Sequence, residues 1–223
     1  MKKILLSSAF IFSTLSFAQL HLNNTRFGLT AGLNYSRVEN AHNPSGARYT
    51  FQGGVLALIP MGKSNQFFIQ PEVLYYGAGE TGKDKDVKGK DGYNAVYANN
   101  YLSVPLYLKG YFSESESEFF GMIGPRFNFL IDQNVKNAPI ARPYYAPDVT
   151  DPKQPEGVNG NAKSFNWSLG FGLGYSYKRQ LELVLRYDLG LLNTYPGLAK
   201  EIGGTDGKKS EQVIALTLNY LLK

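Results

Sequence analysis

The chain has 223 residues, 43% of them hydrophobic and 14% aromatic, which suffices for a packed core and excludes a largely disordered protein. Its formal net charge of +5 counts Lys2 and Lys3 at the very start; the remaining excess is small and spread without a basic cluster, which argues against nucleic acid as a partner. Cysteine is absent, so disulfides, thiolate metal sites, a cysteine nucleophile and a lipid-modified N-terminal cysteine are excluded.

Residues 1–18, MKKILLSSAFIFSTLSFA, place two lysines before an apolar stretch from Ile4 and end on the small-x-small site Ser16-Phe17-Ala18. That is the pattern of a secretory signal peptide, cut before Gln19. Residues 19–25 form a short N-terminal tail. After the leader no apolar run reaches the roughly eighteen residues that a membrane-crossing helix needs. What recurs instead is period two, the signature of a strand with two different faces.

Eight segments carry this alternation. Residues 26–38 set Phe27, Leu29, Ala31, Leu33 and Tyr35 opposite Gly28, Thr30, Gly32, Asn34 and Ser36. Residues 49–59 align Tyr49, Phe51, Val55, Ala57 and Ile59; residues 66–77 align Phe67, Ile69, Val73 and Tyr75 against Gln70 and Glu72. Residues 100–112 oppose Leu102, Val104, Leu106, Leu108 and Phe112 to Tyr101, Ser103, Tyr107, Lys109 and Tyr111, and residues 118–131 oppose Phe119, Ile123, Phe127 and Phe129 to Arg126 and Asn128. Residues 164–177 set a row from Phe165 to Tyr177 against serines and glycines. In 180–192, QLELVLRYDLGLL, the leucines and Tyr187 share one face while Glu182, Val184, Arg186, Asp188 and Gly190 share the other. The last, 211–222, aligns Ile214, Leu216, Leu218, Tyr220 and Leu222.

The connections alternate as well. Those over 60–65, 113–117 and 178–179 are short, whereas 39–48, 78–99, 132–163 and 193–210 are longer, and every longer one lies at the same end. An all-β, eight-stranded antiparallel up-and-down transmembrane barrel over residues 26–223, with tight turns at one end and elaborated loops at the other, accounts for this.

Three features point the apolar row at lipid. The polar row is rich in small residues, as a narrow eight-stranded interior requires. Aromatics of the apolar row gather at strand ends, with Tyr35, Tyr49, Tyr75, Phe129 and Phe165 near the loops and Phe27, Phe67, Phe112, Phe119, Tyr177 and Tyr220 near the turns, as two interfacial girdles would. The polar row carries Glu72, Glu182 and Asp188 together with Lys109, Arg126 and Arg186, which can neutralise one another in a lumen where unpaired charge is costly. A soluble lipocalin-like carrier, with the apolar row turned inward, is the competing arrangement. Pro71, Pro105 and Pro125 fall inside strands and predict bulges or register changes there. Tyr101, Tyr107 and Tyr111 are bulky for so narrow an interior.

The segments FGLTAGLNYS, FFIQPEVLYYGAG, NNYLSVPLYLKGYF, FFGMIGPRFNFLI and FNWSLGFGLGYSY resemble those of the small outer-membrane β-barrel proteins of Bacteroidota, the porin-family or PorT-like group. The resemblance spans residues 26–223 and implies a Gram-negative outer-membrane protein inserted by the barrel-assembly machinery, with periplasmic termini, external loops and no enzymatic role. The chain departs from many such proteins in ending NYLLK rather than on an aromatic residue.

Other motifs are weaker. GFGLG, residues 170–174, puts its glycines on one strand face with no helix following, unlike a dinucleotide site. DKDVKGKDG, residues 84–92, interleaves lysines with aspartates and lacks calcium-loop spacing. No cofactor or metal is therefore expected. His42 near Ser45 is the one candidate for a rim hydrolase. The 132–163 loop, with Pro139, Pro143, Pro147, Pro152 and Pro155, resists helix formation and is expected either to present a binding surface or to be a spacer. The sequence thus predicts a monomeric barrel with a side-chain-filled lumen and no wide pore, acting structurally or through its loops on an unspecified external partner. A PorT-like accessory of a secretion or assembly system is the alternative.

Overall fold

The computed structural model describes residues 24–41, 46–62, 64–81, 95–137, 161–196 and 207–222. The expected signal peptide, His42, Ser45, the 84–92 segment and most of the proline-rich loop lie outside them. The strands are β1 (Arg26–Val38), β2 (Gly46–Pro60), β3 (Phe67–Thr81), β4 (Val96–Tyr111), β5 (Glu118–Lys136), β6 (Phe165–Tyr177), β7 (Leu181–Gly190) and β8 (Glu211–Leu221). Each pairs antiparallel with its sequence neighbours, and β1 pairs with β8, so the sheet closes into a barrel without edges along the wall.

Closure turns the sequence alternation into an inside and an outside. On β7 exposure alternates residue by residue, with Leu181, Leu183, Leu185 and Tyr187 exposed and Glu182, Val184, Arg186 and Asp188 buried. The same rule holds on β1, β6 and β8. The apolar row faces outward: Leu33 is 70% exposed and Leu173 66%, whereas Arg126 and Lys109 are fully buried. An apolar exterior around a charged interior is the reverse of a soluble carrier, and disfavours that arrangement.

Two expectations need correction. β2 to β5 run several residues further toward the loop end than the alternation indicated, to Gly46, Thr81, Val96 and Lys136. Beyond the apolar belt neither face meets hydrocarbon, so the contrast that marks a strand fades while backbone pairing continues. The prolines, moreover, do not shift the register. Pairing passes from Pro71↔Leu106 to Leu74↔Ser103 and from Pro105↔Arg126 to Leu108↔Ile123 with two residues skipped and the same register resumed. The irregularities fall instead between Ala47 and Gln52 on β2 and at Asn100/Tyr101 on β4. A missing N–H costs local ladder bonds, but register is held by the inside-outside alternation of the neighbouring residues.

The glycine row of β6 accommodates the bulky interior residues. A Cβ added at Gly170 would lie 2.8 Å from the Tyr107 ring, at Gly172 2.6 Å from Met122, and at Gly174 2.4 Å from the Phe120 ring. β4 and β5 thus fold large inward side chains into slots that β6 leaves empty, Phe120 and Met122 lying over their cross-strand partners Gly174 and Gly172. An outward Leu185→Arg change is expected to cost about 2–4 kcal/mol of folding free energy in lipid vesicles, because it puts charge against hydrocarbon; urea titration with vesicle-reconstituted protein measures it.

Candidate functional site

The site defined by the fold is the lumen, built in tiers from the inward row. At the turn end lies Arg179, in the three-residue connection between β6 and β7, where Lys178 and Arg179 precede Gln180. Both residues have positive φ, 52° and 48°, the left-handed region that a tight hairpin demands and that glycine or asparagine ordinarily supplies. The arginine uses that backbone to reach under the barrel. Its guanidinium lies 4.4 Å from the centre of the Tyr111 ring, pairs with Glu118 and donates to the carbonyls of Asn65, Ser113 and Ser115. Arg26 donates in turn to the Arg179 carbonyl at 2.7 Å. All three short turns and β1 are tied together at one cation.

In the next tier Lys109 reaches Glu182 at 2.6 Å, and Glu182 also accepts from Tyr111 at 2.6 Å and Asn219 at 3.1 Å. The Lys109 ammonium sits 4.0 Å from the centre of the Phe120 ring, so its remaining face is covered by π-density. Above it Arg186 grips Glu72 through two parallel bonds of 2.7 and 2.8 Å, and Gln70 donates to the same carboxylate at 2.7 Å. Bidentate geometry is the strongest form of this contact. Arg126 follows, 3.2 Å from Asp188 through Nε, donating to Gln52 and Tyr107 at 3.1 Å each and lying 4.4 Å from the centre of the Tyr76 ring.

The six ionisable residues singled out in the sequence are therefore buried side by side as three cation–carboxylate pairs: Lys109 with Glu182, Arg186 with Glu72, and Arg126 with Asp188. Isolated, each charge would forfeit several kcal/mol of hydration; paired and hydrogen-bonded, it is held at much smaller cost.

The loop end is closed by residues that sequence reasoning did not single out. Val38, Ala41, Ala162 and Tyr195 form a buried apolar cluster over the mouth. Asn99 donates to the Tyr195 hydroxyl at 3.0 Å and approaches Glu211 at 3.4 Å. Burial, with Glu80 and Glu211 nearby, raises the Tyr195 phenol well above its ordinary range, so it stays a neutral donor and acceptor. Tyr195 and Arg179 lie in connections, where no periodicity marks a residue as inward. The two non-glycine residues of so short a turn were the only available signal for Arg179.

The aromatics assigned to girdles project outward and are exposed: Phe27, Phe67, Phe112, Phe119, Tyr177 and Tyr220 toward the turns, and Tyr35, Tyr49, Tyr75, Phe129 and Phe165 toward the loops. Several meet across strands, including Tyr35 with Tyr49 at 5.3 Å and Phe129 with Phe165 at 5.4 Å between ring centres. Among the described residues no group of three or more His, Cys, Asp or Glu side chains is arranged to hold a metal ion.

A closed antiparallel barrel of eight strands, apolar outside and charged inside, defines a protein that crosses a membrane with strands. Residues 17–195 match the family described as "Outer membrane protein beta-barrel domain", and the chain belongs to it. The protein is an outer-membrane β-barrel. Three solved structures are similar at low identity. The attachment invasion locus protein Ail of Yersinia pestis is 10% identical, with 88% of this chain and 98% of that one covered and a TM-score of 0.43. Neisserial surface protein A is 10% identical, covering 87% and 96% with a TM-score of 0.45. The outer membrane protein OprG from Pseudomonas aeruginosa is 12% identical, covering 89% and 94% with a TM-score of 0.43. No curated protein matches.

Three substitutions test the lumen. Arg186→Met alone strands the Glu72 carboxylate and is expected to cost about 3–5 kcal/mol, whereas Glu72→Leu with Arg186→Met recovers most of the loss; urea midpoints of detergent-folded protein report both. Arg179→Gly relieves the left-handed backbone yet is expected to lower stability by about 1–3 kcal/mol, because the Glu118 carboxylate and three turn carbonyls lose their donor; its melting in mild detergent should fall.

Proposed function

We propose that this protein is a monomeric barrel without a wide pore or catalytic activity, which acts structurally or through its long loops in contact with an external partner. Its termini and short turns face the periplasm and its loops the exterior, and the barrel-assembly machinery inserts it. The reading is supported by the stacking of three ion pairs inside the barrel, with Arg179 below and the Tyr195 cluster above, along the path that a solute would follow. Eight strands enclose room for side chains and little more. The girdle residues anchor the wall at the two interfaces, where amphipathic and large aromatic rings are favoured.

The resemblance of FFIQPEVLYYGAG and its companion segments supports a Bacteroidota origin and keeps a second reading, a PorT-like accessory of a secretion system. Deletion of the gene should leave secreted cargo in the periplasm under that reading and leave secretion intact under the first. Planar-bilayer recordings of the purified wild type are expected to show no large stable conductance; a steady open channel from monomer would overturn the closed-lumen assignment. Cells expressing a protease site in the 113–117 turn should be cut only after the outer membrane is permeabilised, and cutting in intact cells would reverse the orientation.

A further inference from the structure

Of the three cations that pair at mid-barrel, only Lys109 carries a nitrogen that can become a nucleophile. The guanidinium groups of Arg126 and Arg186 stay protonated, whereas an ammonium that gives up one proton is a primary amine with a free lone pair. The recipient of that proton is in place. Lys109 Nζ donates to both oxygens of Glu182, each at 2.6 Å.

A carboxamide stands at the same carboxylate. Asn219, the cross-strand partner of Glu182 on β8, donates from Nδ2 to Glu182 Oε2 at 3.1 Å, so amine and amide meet at one oxygen atom. Tyr111 donates to the other oxygen, Oε1, at 2.6 Å. Asn219 Oδ1 is buried and makes no hydrogen bond among the described residues. Turned end for end, the carboxamide presents that bare oxygen to Glu182, which can donate to it once it holds the Lys109 proton.

The surroundings favour uncharged partners. Lys109, Glu182 and Asn219 are all fully buried. Tyr111 and Phe120 belong to a buried apolar cluster with Leu58, Phe68, Val184 and Leu221. There an ammonium and a carboxylate forfeit hydration that an amine beside a carboxylic acid does not need, and bulk water is kept from the reacting atoms. The next tier has the same layout without the reactive nitrogen: Gln70 donates its amide to Glu72, but the cation is Arg186.

We propose that Lys109 and Asn219 join in an intramolecular isopeptide bond, with Glu182 moving the protons. Lys109 Nζ passes a proton to Glu182, and its lone pair attacks Asn219 Cγ. Glu182 protonates Oδ1 and takes a second proton from Nζ. As the carbonyl re-forms, the Cγ–Nδ2 bond breaks; Glu182 gives its proton to the departing nitrogen and takes the one on Oδ1. Ammonia leaves, Glu182 ends as a neutral carboxylic acid, and no outside reactant is consumed. The step runs once per chain and ties β4 to β8 across the lumen, a covalent staple in a chain that has no cysteine for a disulfide. It requires neither the orientation nor the external partner proposed above.

The test uses the full barrel, purified from outer membranes in detergent, then denatured and digested with trypsin. Trypsin does not cut at an acylated Lys109, so wild type is expected to yield residues 91–126 joined to 210–223, about 17 Da, one ammonia, lighter than the two segments together. Finding the loss in that branched peptide separates it from cyclisation of an N-terminal glutamine, which also releases ammonia. Lys109→Arg keeps a cation for Glu182 without the nucleophile, and Asn219→Ala removes the carboxamide; each should release 91–109, 110–126 and 210–223 as separate peptides. Wild-type chain held unfolded in urea should do the same and gain the branch on folding into detergent, which serves if a variant fails to fold. Separate peptides from folded wild type, a branch that persists in either variant or precedes folding, or Lys109 joined to Glu182 with loss of water would each overturn the proposal.

Discussion

The structure depends on the cost of putting charge inside a tube too narrow for water to solvate it. At mid-barrel three cations and three carboxylates of the inward row pair between strands: β4 with β7, β3 with β7, and β5 with β7. β7 supplies one member of every pair. The short strand LELVLRYDLG therefore acts as the electrostatic spine of the barrel, and its position relative to β3, β4 and β5 is fixed by charge as well as by the backbone ladder. Such pairs specify an arrangement more than they add stability, since a well-packed apolar interior would cost less desolvation.

Space is allotted with the same reciprocity. Aromatic and long side chains on β4 and β5 enter slots that glycines on β6 leave open, while Lys109, Arg126 and Arg186 lie against the Phe120, Tyr76 and Tyr107 rings at 4.0, 4.4 and 5.3 Å. Rings that would be surplus in a polar lumen thus cover the faces of cations that carboxylates leave bare. The tyrosines contribute hydroxyls to the same network, as Tyr111 does at Glu182 and Tyr107 at Arg126.

Closure at the two ends uses different chemistry. At the turn end a single guanidinium from one connection gathers carbonyls of the other two, at the expense of left-handed backbone at two non-glycine positions. At the loop end a small apolar cluster joins residues from three connections over a hydrogen-bonded tier of Asn99, Tyr101 and Glu211. One closed sheet thus joins a wall built for hydrocarbon, an interior whose central charges pair with one another, and a small apolar cluster over its loop end.

The sequence by itself determined the number of strands, their inward and outward rows, the alternation of short and long connections and the six charges that pair at mid-barrel, though not buried Glu80, Glu118 and Glu211. Each of these follows from period two and from the opposite environments of the two faces, which every residue of a strand registers locally. Glu182, Arg186 and Asp188 were readable as inward because leucine or Tyr187 stands on either side of each. Only the tertiary structure decided which cation meets which carboxylate, because partners such as Arg186 and Glu72 are 114 residues apart and meet through strand stagger, which no local pattern encodes. It also decided that the prolines keep register, that β2 to β5 outlast the apolar belt, and that Arg179 and Tyr195 close the ends. In those places the chain leaves the two-environment wall, and the alternation that made the rest legible has no physical cause there.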